Sequence, residues 1–259
     1  MEVILNWIGG ATFILEVGKL KIACDPVLCP KDTIQDYFWF KSKRVEEPHY
    51  DEKTFSDIDL WLITHNHEDH IDHLGLSKID QNSKVVSNRN ASKELKKKGI
   101  LDLTILDWHK TVKFSVKDFD IQIEAIPAIH GINPVSAFMA GKVNGYYLTI
   151  SKANQKLRIY ITSDTVYKSR IINSFAGKEI ELLIPNMGAA KEGSWIMTLT
   201  LNANMLRKMI SKLNPKAVIP VHYGTFEHYV EPVSKIEDIK DARIKFLKAG
   251  ESVKLKFVS

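Results

Sequence analysis

Apolar and polar positions along the chain follow two rhythms. Short runs that alternate, or that stay apolar for four to six residues, predict strands. Residues 3–6, 12–17 and 21–24 open the chain this way, separated by Gly9-Gly10 and by Gly18-Lys19, which read as turns. Leu60-Trp61-Leu62-Ile63 is unbroken and ends at Thr64, the pattern of a strand buried on both faces that delivers a loop from its C-terminal end. Strands are also predicted over 84–87, 111–116, 121–126, 146–150, 158–161, 182–184, 217–219, 244–247 and 253–257. The helical rhythm predicts helices over 91–98, 202–213 and 233–242, the second with a stripe of Met205, Leu206, Met209, Ile210 and Leu213 that reads as a core face. Helices follow strands late in both halves, and no Pro-, Gly- or Ser-rich stretch divides them. The expectation is an α/β fold, one domain over 1–259, with two packed sheets flanked by helices.

Residues 31–56 fit neither rhythm. They hold an aromatic run, Tyr37-Phe38-Trp39-Phe40, between charged stretches. Long unpatterned loops are often functional, so the run is expected to wall a substrate pocket, with Trp39 prominent; packing on the core is the plainer reading. Composition changes little: 44% hydrophobic and 26% charged residues are those of a globular protein. No apolar run approaches the roughly 20 residues of a membrane-spanning helix, and the N-terminus has no signal-peptide pattern. Two cysteines, Cys24 and Cys29, make no disulfide framework, which points to the cytoplasm. They read as a core thiol and a loop thiol. The net charge of +5 is modest. Part of it lies in Lys93-Glu94-Leu95-Lys96-Lys97-Lys98, the solvated face of a helix ended by Gly99, so a nucleic-acid groove is not expected.

The chemistry is concentrated in His65-Asn66-His67-Glu68-Asp69-His70, directly after the 60–63 strand. Imidazole is the commonest protein ligand for zinc and similar metals, and carboxylates complete such sites. Alternate side chains on a turn leaving a strand can point one way, so His65 and His67 can share one ion while Asp69 and His70 face a second. His130, Asp164 and His222 each follow an apolar run: Ile126-Pro127-Ala128-Ile129, Tyr160-Ile161-Thr162-Ser163 and Val218-Ile219-Pro220-Val221. Each places a polar residue at a strand end.

This order resembles the metallo-β-lactamase superfamily. Trp7-Ile8-Gly9-Gly10-Ala11-Thr12, Asp25-Pro26, Leu106-Asp107-Trp108, Ser163-Asp164-Thr165 and Pro220-Val221-His222-Tyr223 are similar to the branch holding ascorbate-6-phosphate lactonase-like proteins and the phospholipase D acting on N-acyl-phosphatidylethanolamine. The resemblance implies an αββα sandwich of two mixed sheets with a site at one edge. It also implies one ion on His65, His67 and His130, a second on Asp69, His70 and His222, and Asp164 bridging them. Two divalent ions are therefore expected, zinc first, with manganese or iron also suited to these donors. A hydroxide shared by the ions would be the nucleophile, with Asp69 also orienting it.

Tyr167 is a candidate proton donor, because lactonases of the superfamily can carry a tyrosine at that spacing; His228 competes with it. Asp25 is a candidate partner for a ligand imidazole. His73 and Asp72 read as helix-start residues, His109 as a surface or packing residue, and His49 has no evident partner. The function expected is hydrolysis of a small phosphodiester, phosphate-bearing lactone or related ester. The alternative is a nuclease, disfavoured by the low charge and by a length with no room for the large inserted domain of many such enzymes. A metal-binding protein without turnover, and a glyoxalase-type thiolesterase, are further rivals.

Overall fold

The computed structural model of the chain describes residues 1–37, 40–191 and 198–257. Strands β1 (Glu2–Gly9), β2 (Thr12–Val17) and β3 (Leu20–Cys24) form an antiparallel meander. Strands β4 (Ile34–Asp36) and β5 (Lys41–Lys43) pair with each other as a separate hairpin inside the unpatterned segment. Strands β6 (Leu60–Ile63), β7 (Val85–Ser87) and β8 (Leu103–Ile105) extend the meander in parallel from β3. The second sheet begins with β9 (Thr111–Val116), β10 (Phe119–Ala128), β11 (Val143–Lys152) and β12 (Gln155–Ile161), all antiparallel. It ends with β13 (Leu182–Ile184) and β14 (Ala217–Val218), which run parallel to β12. Strand β15 (Ser252–Lys256) returns to the first sheet against β1. The sheet orders are β15-β1-β2-β3-β6-β7-β8 and β14-β13-β12-β11-β10-β9.

The sequence of β6 shows why this is a layered sandwich. Successive side chains on a strand point to opposite faces. Leu60 and Leu62 join the core between the sheets, while Trp61 and Ile63 join a second core on the outer face of the first sheet. Helices α1 (His73–Lys78) and α2 (Ser92–Lys98) lie beside that outer core, which takes in Ile79, Ala91 and Leu95. In α1, a Cβ on Gly75 would lie 1.7 Å from the Pro26 carbonyl oxygen, so only glycine lets the helix seat this closely on the loop after β3. The remaining helices are α3 (Pro134–Ala140), α4 (Ser169–Asn173), α5 (Ala203–Leu213) and α6 (Val233–Glu237). The side chain of Asn202 caps α5 by accepting the Met205 N–H at 2.9 Å. Leu206, Met209, Ile210 and Leu213 of α5 are buried in the larger hydrophobic core; full burial of such a side chain is worth about 1.5–3 kcal/mol. Among the described residues no helix is long and apolar enough to cross a membrane.

Two expectations needed correction. The helix predicted over 233–242 stops at Glu237, because Asp238 and Ile239 close the last turn and Asp241 folds back onto Arg243. The strand predicted over 244–247 makes one bridge, Ile244 to Val218, and no ladder. The lysines of α2 are exposed, as the charge pattern implied.

Strands β3, β6, β10, β12 and β14 all point their C-terminal ends to one edge of the sandwich. Open sheets with parallel strands gather their ligands at such an edge.

Candidate metal centre

The edge is organised first by Asp25, which follows β3 in the left-handed region at φ 41°. Its Oδ1 accepts the Thr64 N–H at 2.7 Å, and its Oδ2 accepts the Thr64 hydroxyl at 2.6 Å. The same Oδ2 lies 2.7 Å from His70 Nδ1. One buried carboxylate thereby fixes the start of the 64–70 loop and turns His70 Nε2 inward. Thr64 Oγ1 also contacts His65 Nδ1 at 3.0 Å, which leaves His65 Nε2 buried without a partner.

The structure brings all seven predicted metal-site residues together in two adjoining groups. His65, His67 and His130 form one; Asp69, His70, Asp164 and His222 form the other. In the first, His67 Nδ1 and His130 Nε2 are 3.2 Å apart, and His130 Nδ1 sits 3.0 Å from the Leu199 carbonyl oxygen. In the second, His70 Nε2 is 3.1 Å from His222 Nε2 and 3.1 Å from Asp164 Oδ1. His222 Nε2 is 3.3 Å from Asp69 Oδ2 and 3.4 Å from Asp164 Oδ1. Donor atoms arranged tetrahedrally around an ion at about 2.0–2.1 Å stand about 3.3 Å from one another. The spacing therefore fits a bound ion, and so does the orphaned His65 Nε2. Asp164 faces both groups, since its Oδ2 lies 3.7 Å from His130 Nε2. Asn186, just beyond β13, donates to Asp164 Oδ1 at 2.9 Å. His222 is held at φ 63°, and its Nδ1 is 3.2 Å from the Met187 carbonyl oxygen.

The electrostatics suit a cation. Burial pushes His65 well below the usual imidazole range, and neighbouring His70 and His67 add to it. Burial and His130 push His67 down to about 3. Burial also lowers His130, against Asp164. His70 goes the other way: burial opposes its charge, but Asp164 and Asp25 outweigh burial and raise it well above the usual value. Burial disfavours charge on Asp69 and Asp164 too. Hydrogen bonds from His222 and His228 nonetheless hold Asp69 well below the carboxylate range, and the charges of His222 and His70 do the same for Asp164.

A cavity of 320 Å³ opens over these residues. Its floor includes His67, Asp69, His130 and Asp164; its walls include Tyr37 and Phe40 on one side and Met139, Ala190 and Leu199 elsewhere. The Tyr37 and Phe40 rings stack at 4.6 Å and 8°. Phe38 and Trp39 of the aromatic run lie outside the described residues. His228 lines the cavity, with Nε2 3.1 Å from Asp69 Oδ2 and Nδ1 2.6 Å from the buried Ser42 Oγ of β5. Tyr167 does not line it; the ring is half-buried against the larger hydrophobic core. Asp72 caps α1 and also accepts the backbone N–H groups of Leu28 and Cys29. His73 is exposed as the first residue of α1, and His49 and His109 are exposed elsewhere. Cys24 and Cys29 are buried and unpaired.

Sequence reasoning missed Tyr229. Its hydroxyl lies 2.7 Å from His222 Nε2 and donates to Asp69 Oδ2 at 3.1 Å. Burial, then the charge of Asp69, raises the phenol well above 10, so it stays protonated. The available signal was the density of ring residues after His222: Tyr223, Phe226, His228 and Tyr229 within seven positions.

Comparison with known proteins follows the same lines. A family model described as a beta-lactamase superfamily domain matches residues 21–223. The chain is 22% identical to "N-acyl-phosphatidylethanolamine-hydrolyzing phospholipase D 1" of Caenorhabditis elegans, over 92% of this chain and 70% of that protein. It is 24% identical to a "UPF0173 metal-dependent hydrolase" of Pyrobaculum islandicum, over 97% and 99%. Among solved structures, a possible metal-dependent hydrolase from Veillonella parvula superposes with a TM-score of 0.84 at 20% identity, covering 98% of this chain and 100% of that one. An isothiocyanate hydrolase from Delia radicum gut bacteria superposes at 0.79 and 18% identity, covering 96% and 98%.

Proposed function

Because the chain belongs to the metallo-β-lactamase superfamily and is a metal-dependent hydrolase, we propose that its seven clustered side chains hold two divalent ions for hydrolysis of a small ester-like substrate. His65, His67 and His130 would hold one, Asp69, His70 and His222 the other, and Asp164 would reach both. The observation that carries this reading is the 3.1–3.4 Å spacing among donor atoms of His70, Asp69, Asp164 and His222. A mixed imidazole and carboxylate set suits zinc, with manganese and iron as the other candidates. When bound, two such ions lower the pKa of a shared water towards about 7 and polarise the electrophile.

The protein's own groups do the rest. Asp69, with one oxygen near His222, His228 and Tyr229, orients the attacking water. His228 Nε2 faces the cavity and is placed to protonate the leaving group; Ser42 fixes its other nitrogen. We assign that role to His228 over Tyr167, because Tyr167 does not line the cavity. Tyr229 steadies Asp69 and His222. A 320 Å³ cavity is at the small end of ligand pockets, which supports a small molecule over a nucleic-acid strand. Phosphodiesters, lactones and related esters are all within the chemistry. The test is elemental analysis of metal-replete protein, then turnover of bis(p-nitrophenyl) phosphate, simple lactones and aryl esters. About two ions per chain and turnover of one of these classes are expected. Salt-sensitive RNA cleavage with no small-molecule turnover would favour the nuclease instead.

A further inference from the structure

We propose that the substrate is electrically neutral and carries an apolar ring-sized group beside its scissile bond. This rests on the hydrolase reading and narrows it away from phosphodiesters and phosphate-bearing lactones.

The first observation is one of charge. The chain has 36 lysines and arginines, yet none of them is among the described residues that line the cavity. The residues outside the described set are Phe38, Trp39, 192–197, Val258 and Ser259, and none of them is Lys or Arg. The missing cation cannot come from there. The cavity is lined instead by Asp36, Glu68, Asp69 and Asp164. Asp36 pairs with Lys41, whose amine stands in solvent. Proteins that recognise phosphate or carboxylate groups surround them with Arg, Lys or converging backbone N–H groups. Two divalent ions would add four positive charges, but Asp69, Asp164 and Glu68 offset three, and a hydroxide offsets the fourth. No positive charge is left over to hold an anionic substituent.

The second observation is one of shape. Tyr37 and Phe40 stack face to face into a two-ring aromatic wall, and both rings meet His228 edge-on, at 5.4 and 5.7 Å. Met139 and Leu199 supply further apolar surface. An apolar ring packed against this pair would stand beside the proposed donor, His228, and the metal-site residue His67, whose rings lie 5.4 and 6.3 Å from that of Tyr37. Offset stacking on such a wall stabilises a ring specifically.

The test uses metal-replete protein and two substrates with the same scissile bond: phenyl acetate and 4-sulfophenyl acetate, whose sulfonate is a permanent, weakly metal-binding anion. The neutral ester should have a kcat/KM at least about tenfold higher, the penalty of one remote charge in a site with no counter-charge. Calorimetry on the same protein should show phenol binding more tightly than 4-hydroxybenzenesulfonate. Met139→Lys places an amine in the wall, at a residue only partly buried, on a short helix. It should narrow or reverse the preference in both measurements. Equal or faster turnover of the sulfonate by the unaltered protein would overturn the proposal. So would turnover of bis(p-nitrophenyl) phosphate with neither acetate accepted, an outcome that leaves the hydrolase reading intact. If none of the three esters is hydrolysed by protein holding its ions, the lactone panel decides the hydrolase reading, and the calorimetric pair decides the proposal: tighter phenol binding supports it, and equal or tighter sulfonate binding overturns it.

Discussion

The floor and the wall of the cavity are built on opposite principles. The floor is deeply buried, and most of its donors are held by a second partner: His70 by Asp25, Asp164 by Asn186, His130 and His222 by backbone carbonyl oxygens. Its residues come from the ends of four strands in two sheets, so their positions are inherited from the core. The wall comes from a three-residue-strand hairpin and a seven-residue helix. Phe138 and Val135 of that helix are largely exposed. Reaction chemistry needs its groups held to within a fraction of an ångström. Recognition of an apolar group tolerates more, because the hydrophobic effect is non-directional.

Breaking the floor should therefore cost most. His65→Ala and His222→Ala should each lose metal occupancy and activity together, with turnover down by about 10³-fold or more; a fully active His65→Ala protein would remove the metal mechanism. Asp25→Ala touches no substrate and no proposed ligand atom, yet it leaves Thr64 and His70 without their anchor. Metal affinity or activity should fall about 10–100-fold, and metal titration would show it. The wall should respond differently. Phe40→Ala should raise KM about 3- to 10-fold for an aryl ester through lost apolar contact, with metal content unchanged; a loss of stability alone would make the ring a packing residue.

Acid offers the mildest way to separate the two. His65, His67 and His130 resist protonation in the folded state, and His67 is pushed down to about 3. Between about pH 6.5 and 3 the unfolded chain takes up protons that these imidazoles refuse, so folding free energy drops as pH falls. His70 has the opposite sign, its contribution complete below about 6.5 and lost as pH rises past its raised value. Three groups outweigh one. The melting temperature of metal-free protein should be lower at pH 5 than at pH 7.5, and a rise on acidification would contradict the burial argument.

What the sequence disclosed follows the same division. Burial on both faces makes Leu60–Ile63 an unbroken apolar run, and His65, His67, Asp69 and His70 crowd the next seven positions, so the strand and the loop were both visible. His130, Asp164 and His222 were visible because each ends an apolar run. The wall was hidden. Lys41-Ser42-Lys43 reads as solvated loop, although Ser42 is buried against His228. Pro134–Ala140 spans barely two turns, too short for a period to emerge. Tyr229 was hidden too, because nothing local in the sequence says that its hydroxyl meets Asp69. Partners far apart in sequence are set by tertiary packing, and residue spacing carries no trace of them.

Arg44, directly after β5, has a further consequence. It is fully buried, and no carboxylate among the described residues pairs with it. It donates to the carbonyl oxygens of Glu46 and Val27 at 2.8 and 3.0 Å and lies over the Phe226 ring. Together with the single bridge from Arg44 to Phe226, it moors the β4–β5 hairpin to the molecule by its stem. Tyr37 and Phe40, which form the aromatic wall, belong to neither large sheet. They can thus be exchanged without disturbing a ladder of either sheet, while the stem returns each new version to the same place above the reacting centre. Variation in substrate taste and preservation of chemistry become separable inheritances of one chain, with an arginine as the hinge pin between them.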